Sequence, residues 1–376
     1  MNLKSISSFI ASILLIGFTI STGIIIYYFF TTFPRTQMQE ASGLTSKVLS
    51  CAGAMFEIKV KGCNLMNGLV LWLPMDEGEG TIVYDYSGYG NNGNLYNGTN
   101  ACSNPPTEGC PTWVDGVLGK ALSFDGVDDY VIVPNSPTLN PSKEVSVITW
   151  ALFNILSDDK GAIDLIGKTL WWGGAFELQY FGDDIYFKIF NFTSSDLARV
   201  NNYLITDRWY FVAGTYNSNN GIINLYINGT LLAYKSSGGQ INISTSNIAI
   251  GRNPAAGYFH NGTIDEVLIY NRALSEEEIK KLYYNSLENK FNITIGLLNN
   301  GYADLGNSFT AIVYLKNGTI LQFPINFERS LNKGNYFEYN LTVDGYYPSY
   351  GLVDKLIVCS NDCQGVCSEV RVNNKC

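Results

Sequence analysis

Residues 208–233, RWYFVAGTYNSNNGIINLYINGTLLA, decide the fold. Two apolar runs, WYFVAGTY and IINLYI, are separated by a polar NSNNG break, and a third, TLLAYK, follows after Asn228-Gly229. An Asn-Gly pair between such runs predicts a tight hairpin of the primed type, because both residues tolerate positive φ. Reading outward, the same grammar recurs in LVLWLP, YVIVP, VSVITWALF, FELQYF, IYFKIFNF and IDEVLIY, each closed by Gly, Asn or Asp. Evenly spaced short strands predict an antiparallel sandwich or jelly roll, not βαβ units. The run ends in Ser275-Glu276-Glu277-Glu278-Ile279, a capping box that opens a short helix through Tyr284.

At 376 residues the chain is long enough for two or three domains. Charged residues are only 15% and aromatics reach 14%, which excludes a disordered chain. The net charge of −9 excludes a nucleic-acid partner, which needs a basic stripe. Polarity comes from Asn, Ser, Thr, Gly and Tyr, the surface of an extracellular β protein. One histidine, His260, restricts Ser–His and Cys–His catalysis and His-rich metal sites; its place in YFHNGT predicts a surface position.

Four blocks in order, GLVLWLPMDEGEGTIVYDYSGYGNNGNL, GKALSFDGVDDYVIVP, RWYFVAGTYNSNNGIINLYINGTLLA and TIDEVLIYNRALSEEEIKKLY, resemble the LamG-like, concanavalin A-type jelly roll. The resemblance covers some 220 residues from Gly68 to Leu287. It implies two packed antiparallel sheets with a concave face, glycan or protein ligands, and in many members one structural calcium ion. It also implies adjacent first and last strands, which would bring Asp85 of YDYSG near Asp265 of TIDEV, with Asn91 or Asn92 and carbonyls near Gly88 completing a shell. Asp125 and Asp128 in FDGVDDY are further ligand candidates, since calcium takes six to eight oxygens from loops. The competing reading is that these aspartates only cap turns.

Concanavalin-type glycosidases place facing carboxylates on one strand as an alternating acidic motif. No such motif occurs, and the pairs Asp128-Asp129, Asp158-Asp159 and Asp183-Asp184 sit next to turns. Adjacent strand residues point to opposite faces, so such pairs make no dyad and no enzyme is expected. For glycan contact, Trp171-Trp172-Gly173-Gly174 offers rings flanked by small residues, with Tyr180, Phe181 and Tyr258 as companions. Trp72, Trp150 and Trp209 fall within strands and are expected in the core.

No charged side chain occurs between Lys4 and Arg35, and Ile6–Phe30 is long and apolar enough to cross about 30 Å of hydrocarbon as a helix. Tyr27, Tyr28, Phe29 and Phe30 would form an aromatic belt at one end. A removable signal has a shorter apolar region and a small-residue cleavage site, unlike YYFFTTF. KSISSFIASILLIGFTIS resembles the class III signal of archaeal type IV pilin-like proteins, which implies cleavage after Ser5 and a mature chain from Ile6. A plain membrane anchor is the alternative. Past Pro34 a kinked helical extension is expected through residue 50.

The strand MFEIKVK, bracketed by Cys51 and Cys63, stands alone before the jelly roll. From Lys290 on, FNITIGLLN, SFTAIVYLK, TILQFPI, YFEYNLTV and KLIVCS supply five more strands. Together these blocks resemble the head of the same pilin-like family with the jelly roll inserted; a linear string of helix, lectin domain and small sandwich is the alternative. The expected division is leader 1–5, membrane helix 6–33, extension 34–50, first head strand 51–66, jelly roll 67–288 and remaining β head 289–376.

All eight cysteines lie outside the apolar run, which fits an oxidising compartment. Cys102 and Cys110 bracket a proline-rich insertion and are expected to pair. Cys51, Cys63, Cys359, Cys363, Cys367 and Cys376 allow fifteen connectivities. The spacing of Cys359, Cys363 and Cys367 departs from zinc-binding C-x-x-C pairs, so disulfides are expected. Eight N-x-[ST] sequons, at Asn97, Asn191, Asn228, Asn242, Asn261, Asn292, Asn317 and Asn340, are candidate glycosylation sites.

The expectation is a mainly β surface protein: an N-terminal transmembrane or pilin-like α-helix, a small disulfide-linked β-sandwich head, and a LamG-like jelly roll that binds a glycan or surface protein. Its partners would be the membrane, that ligand and other pilin subunits, with one structural calcium ion as the only cofactor. The alternatives are a structural envelope or minor pilin subunit without ligand, and a membrane-tethered polysaccharide hydrolase.

Overall fold

The computed structural model describes residues 51, 54–61, 63–103, 109–156, 161–169, 173–191, 195–288, 290–315, 318–344, 353–363 and 365–371. The N-terminal apolar run therefore lies outside the described residues, and among those described no helix is long and apolar enough to cross a membrane.

Two antiparallel sheets form the jelly roll. The eight-stranded sheet runs Thr230–Ser236, Ile222–Ile227, Trp209–Asn217, Glu144–Phe153, Asn261–Tyr270, Lys120–Asp125 and Thr112–Asp115, with Leu69–Leu73 also paired to Asn261–Tyr270. The nine-stranded sheet runs Ser195–Val200, Asp184–Phe190, Phe176–Phe181, Ile163–Lys168, Ile248–Ile250, Asp129–Val133, Gly93–Asn97 and Ile82–Val83, with Asn100–Ala101 on its flank. Asn228 and Gly229 both take positive φ, 50° and 75°, as the hairpin between Ile222–Ile227 and Thr230–Ser236 requires.

The sequence of each sheet reports how many of its faces are covered. In Trp209–Asn217 the side chains of Tyr210, Val212 and Tyr216 enter the core between the sheets, while Phe211 and Ala213 join a second core on the other side. Glu144–Phe153 divides alike, with Val145, Val147, Ala151 and Phe153 inward and Ile148 and Trp150 outward. A strand buried on both faces reads as an unbroken apolar run. In Phe176–Phe181 and Asp184–Phe190, by contrast, Phe176, Leu178, Tyr180, Ile185, Phe187 and Ile189 point inward, and Glu177, Gln179, Asp184, Tyr186 and Lys188 alternate outward.

The second core covers the outward face of the eight-stranded sheet. The helix Glu276–Glu288 contributes Ile279 and Leu282, each worth roughly 1.5–3 kcal/mol when fully buried. Its capping box is formed as expected: Glu278 N donates to Ser275 Oγ (3.3 Å), and Ser275 N donates to Glu278 Oε2 (2.9 Å). It runs four residues beyond Tyr284. Trp72 and Trp150 are buried, as their strand positions require, but in this second core.

The same core extends into the C-terminal strands. Phe56–Lys61 pairs antiparallel with Lys290–Asn299, which pairs in turn with Tyr336–Asp344. A four-stranded sheet follows in the order Ile320–Asn326, Ser308–Leu315, Val353–Ser360 and Cys367–Arg371. The last of these strands, Cys367–Arg371, is additional to the five that the sequence predicts after Lys290. Cys102 pairs with Cys110 as expected, and Cys51–Cys363 and Cys359–Cys367 also form disulfides. Cys359, Cys363 and Cys367 thus do not converge on a metal. The Cys63 side chain and Cys376 lie outside the described residues.

Gly214 sets the spacing between the sheets, since a Cβ there would lie 2.1 Å from the Phe187 ring of the opposite sheet. Gly214→Ala should cost about 1–3 kcal/mol through overpacking. A thermal unfolding midpoint equal to that of the parent protein would refute this close approach.

Candidate functional site

The sequence candidates divide. Trp171 and Trp172 lie outside the described residues. Tyr180 does not reach a ligand surface: it is in phase with Phe176 and Leu178, is 1% exposed, and its hydroxyl meets His260 Nδ1 at 3.0 Å. His260 is likewise not on the surface but fully buried, edge-on to Phe153 and Tyr180. Burial pushes its pKa down to about 4, so it is neutral. Tyr258 packs its ring over Gly161 and is half-buried against the inter-sheet core.

The calcium shell of Asp85, Asn91 and Asp265 is not assembled. Asp85 accepts from Trp72 N of the strand Leu69–Leu73 and from Ser87 N, Ser87 Oγ and Asn91 N of its own loop. Asn91 is buried and donates to Val70 O and Thr138 Oγ1. Asp265 is buried, with Oδ2 accepting from Val117 N and Leu118 N and Oδ1 without a hydrogen-bond partner among the described residues. The turn-capping reading holds for Asp85. Beside Asp265, Glu266 takes φ of 52° within its strand and accepts from Trp72 Nε1 at 2.9 Å. Burial raises the pKa of both carboxyls.

Asp125 has a different outcome. With Asp128 and Asp129 it forms a group whose ligand oxygens lie within 4.8 Å of one another. Asp128 precedes the strand that begins at Asp129, so the strand rule that separates neighbouring side chains does not apply to this pair. Asp129 is 3% exposed; Oδ2 accepts from Asp125 N, while Oδ1 is buried with no hydrogen-bond partner. Burial, then the charges of Asp125 and Asp128, push its pKa up to about 7. An orphaned buried carboxylate oxygen facing two more carboxylates fits a hard cation. Among the sequons, Asn191 is buried and donates to Gly238 O, and Asn228 accepts from Phe211 N. Asn292 and Asn317 carry no described side chain.

The outward face of the nine-stranded sheet holds groups that no sequence motif singled out. The register sets Asn94, Ile132, Ala249, Gly167, Glu177, Lys188 and Leu197 in one row across the strands. Its middle, Ala249 and Gly167, is nearly bare of side chain. Asp164 folds over Gly167, its Oδ2 2.2 Å from where a Cβ would sit, and neither of its oxygens has a hydrogen-bond partner. Glu177 is ion-paired with Lys188 at 3.1 Å, and Asp184 with Arg199.

On the flank, Tyr96 stacks on Tyr130 at 5.2 Å and 15°. Leu95 and Val131 enter the inter-sheet core, so the two tyrosines face outward. The hairpin of Arg252–Asn253 and Tyr258–Phe259 folds beside them and sets the Arg252 guanidinium over two rings, 4.6 Å from Tyr130 and 5.4 Å from Phe259. Tyr130 itself is 4% exposed, so the rings half-open to solvent on this flank are those of Tyr96 and Phe259.

Full burial, with Glu177 nearby, holds the Asp164 pKa well above the carboxylate range. The folded state therefore binds this proton more tightly than the unfolded chain. The stabilisation is complete below about pH 4 and is lost as pH rises toward the folded pKa. Asp164→Asn removes the titration, so the urea unfolding curves of parent and variant should diverge with pH. The gap should change in the variant's favour by up to about 1.4 kcal/mol per pH unit. Parallel pH profiles between pH 4 and 8 would mean that Asp164 does not titrate with folding.

A family model described as the concanavalin A-like lectin/glucanases superfamily matches residues 125–280, less than half of the chain. Among curated proteins no sequence matches. Domain 4 of AbnA, an extracellular arabinanase from Geobacillus stearothermophilus solved with arabinotriose, is a similar structure at 20% identity and a TM-score of 0.46, covering 61% of this chain and 98% of that one. The botulinum neurotoxin serotype G binding domain is similar at 16% identity and a TM-score of 0.46, with 66% and 57% covered. The botulinum neurotoxin DC binding domain, solved with rat synaptotagmin II, is similar at 17% identity and a TM-score of 0.46, with 75% and 73% covered. This chain thus spans less than two thirds of the serotype G domain.

Proposed function

We propose that the jelly roll is the ligand-binding module of a surface-displayed adhesion protein and takes a glycan on the outward face of its nine-stranded sheet. The observation that carries this reading is the pair of half-buried rings, Tyr96 and Phe259, set against the buried Tyr130 on the outward side of the sheet. Sugar rings present C–H faces that pack on aromatic rings, and their hydroxyls need fixed polar groups such as those of the adjoining rows. No catalytic step is required. The apolar N-terminal segment would hold the protein at the membrane or in a filament, where repetition turns weak single-site binding into avidity.

The test is a glycan panel presented to the full-length protein. Tyr96→Ala and Phe259→Ala should each weaken binding about tenfold, equivalent to about 1.4 kcal/mol of lost stacking. Unchanged affinity in both variants would remove this face from the binding role.

The orphaned Asp129 Oδ1 supports one addition, a calcium ion held by Asp125, Asp128 and Asp129. The ion would neutralise three carboxylates and stiffen the turn that leads into Asp129–Val133, the strand that bears Tyr130. Calcium at 100 times its Kd should stabilise the protein by about 2.7 kcal/mol relative to EDTA, and Asp129→Asn should abolish the effect. Because a proton on Asp129 competes with the metal, the effect should fall as pH drops below about 7. Coincident melting curves with calcium and with EDTA would refute the site.

A further inference from the structure

Arg252 is an unneutralised charge in an acidic protein. Two other arginines of the jelly roll, Arg199 and Arg272, are ion-paired, with Asp184 and Glu278. Arg252 is half-buried and makes no ion pair among the described residues. Its Nε is buried with no hydrogen-bond partner. Removing a cation from water without a counter-charge costs free energy, and ring faces repay only part of it. Such a charge is stabilised when an anion arrives.

The surroundings define the anion. Tyr130 and Phe259 both lie over the guanidinium, which limits its rotation. A guanidinium held in this way presents a fixed planar fork, matched to a planar carboxylate. Tyr130 is buried between Tyr96 and the guanidinium, and the half-buried Tyr96 and Phe259 beside it offer the stacking surface that a pyranose face requires. One ligand class meets both demands.

We propose that Arg252 is an anion-recognition residue and that the ligand of the outward face is a glycan bearing sugar carboxylates. The proposal rests on the glycan-binding reading of this face and names the ligand's chemical class. The carboxylate pairs with Arg252 while the ring that carries it, or the next one, packs on Phe259 or Tyr96.

The test compares matched acidic and neutral probes on the full-length protein by calorimetry. Trigalacturonate is set against galactotriose, and 3′-sialyllactose against lactose, so that a uronate and a sialate source are told apart. At least one acidic probe should bind tenfold or more tightly than its neutral partner, and raising salt from 50 to 500 mM should shrink the difference. Arg252→Gln should abolish the preference, and Arg252→Lys should restore only part of it, because a point charge lacks the fork.

Equal binding of acidic and neutral probes by the parent protein overturns the carboxylate class and leaves the glycan face standing. That comparison needs no variant, so it survives a folding defect in Arg252→Gln. An acidic preference that persists undiminished in a folded Arg252→Gln overturns the assignment to this residue. Failure of the parent protein to bind any of the four probes overturns the proposal, and failure on the wider panel overturns the glycan reading with it.

Discussion

The jelly roll depends on burying both faces of its eight-stranded sheet. One face closes on the nine-stranded sheet, with Val147, Phe153, Val212 and Leu225 among the residues between them. The other would expose Ile148, Trp150, Phe211, Tyr226 and Leu268 were it not covered by the helix and the strands beyond it. Exposed together, these side chains would form an apolar patch that a soluble domain rarely tolerates. The helix Glu276–Glu288 and the second core are therefore structural necessities. Among the described residues, the outward face of the nine-stranded sheet is the one face of the sandwich that carries charged and aromatic side chains in place of an apolar layer.

That face keeps polar capacity unspent. Among the described residues, Asp164 has two oxygens without partners and Arg252 has a buried Nε without one. An internal pairing was chemically available, since the protein has carboxylates in excess of cations. Elsewhere on the same face such pairing occurs, between Glu177 and Lys188 and between Asp184 and Arg199. Groups left unpaired among paired neighbours lower stability, and a ligand that paired with the half-buried Arg252 would recover part of that free energy on binding. The low exposure of Glu177, Gln179, Asp184 and Tyr186 adds pre-organisation, because their rotamers are already fixed.

Much of the fold was legible because its causes are local. Period-two alternation in FELQY and IYFKIF, the Asn228-Gly229 turn, the Ser275–Glu278 capping box and the Cys102–Cys110 pair each require only neighbours in the chain. The candidate site was less legible because its parts meet only through register. Tyr96, Tyr130, Arg252 and Phe259 come from three separate stretches, and nothing in their own sequence contexts marks them as partners. Tyr180 is a different case. Its phase with Phe176 and Leu178 places it inward, and that alternation outweighs its nearness in sequence to Trp171 and Trp172. Asp85 and Asp265 illustrate a third limit, since a shared sheet neighbourhood does not say which backbone donors each carboxylate will find.

The layering also gives the proposed binding role a direction. Asn271 N donates to Gly68 O at 2.8 Å, so the chain enters and leaves the jelly roll at adjacent points. Phe56–Lys61 and Lys290–Asn299, the strands on either side of those points, pair with each other, and Cys51 is bonded to Cys363. The segment that precedes Cys51 is thereby fastened to the C-terminal strands, whose core is continuous with the covered face of the eight-stranded sheet. Arg252, Tyr130 and Tyr96 lie on the opposite outer face of the sandwich. A protein held by its N-terminal segment would thus present its candidate ligand face away from the side that holds it, the arrangement adhesion needs.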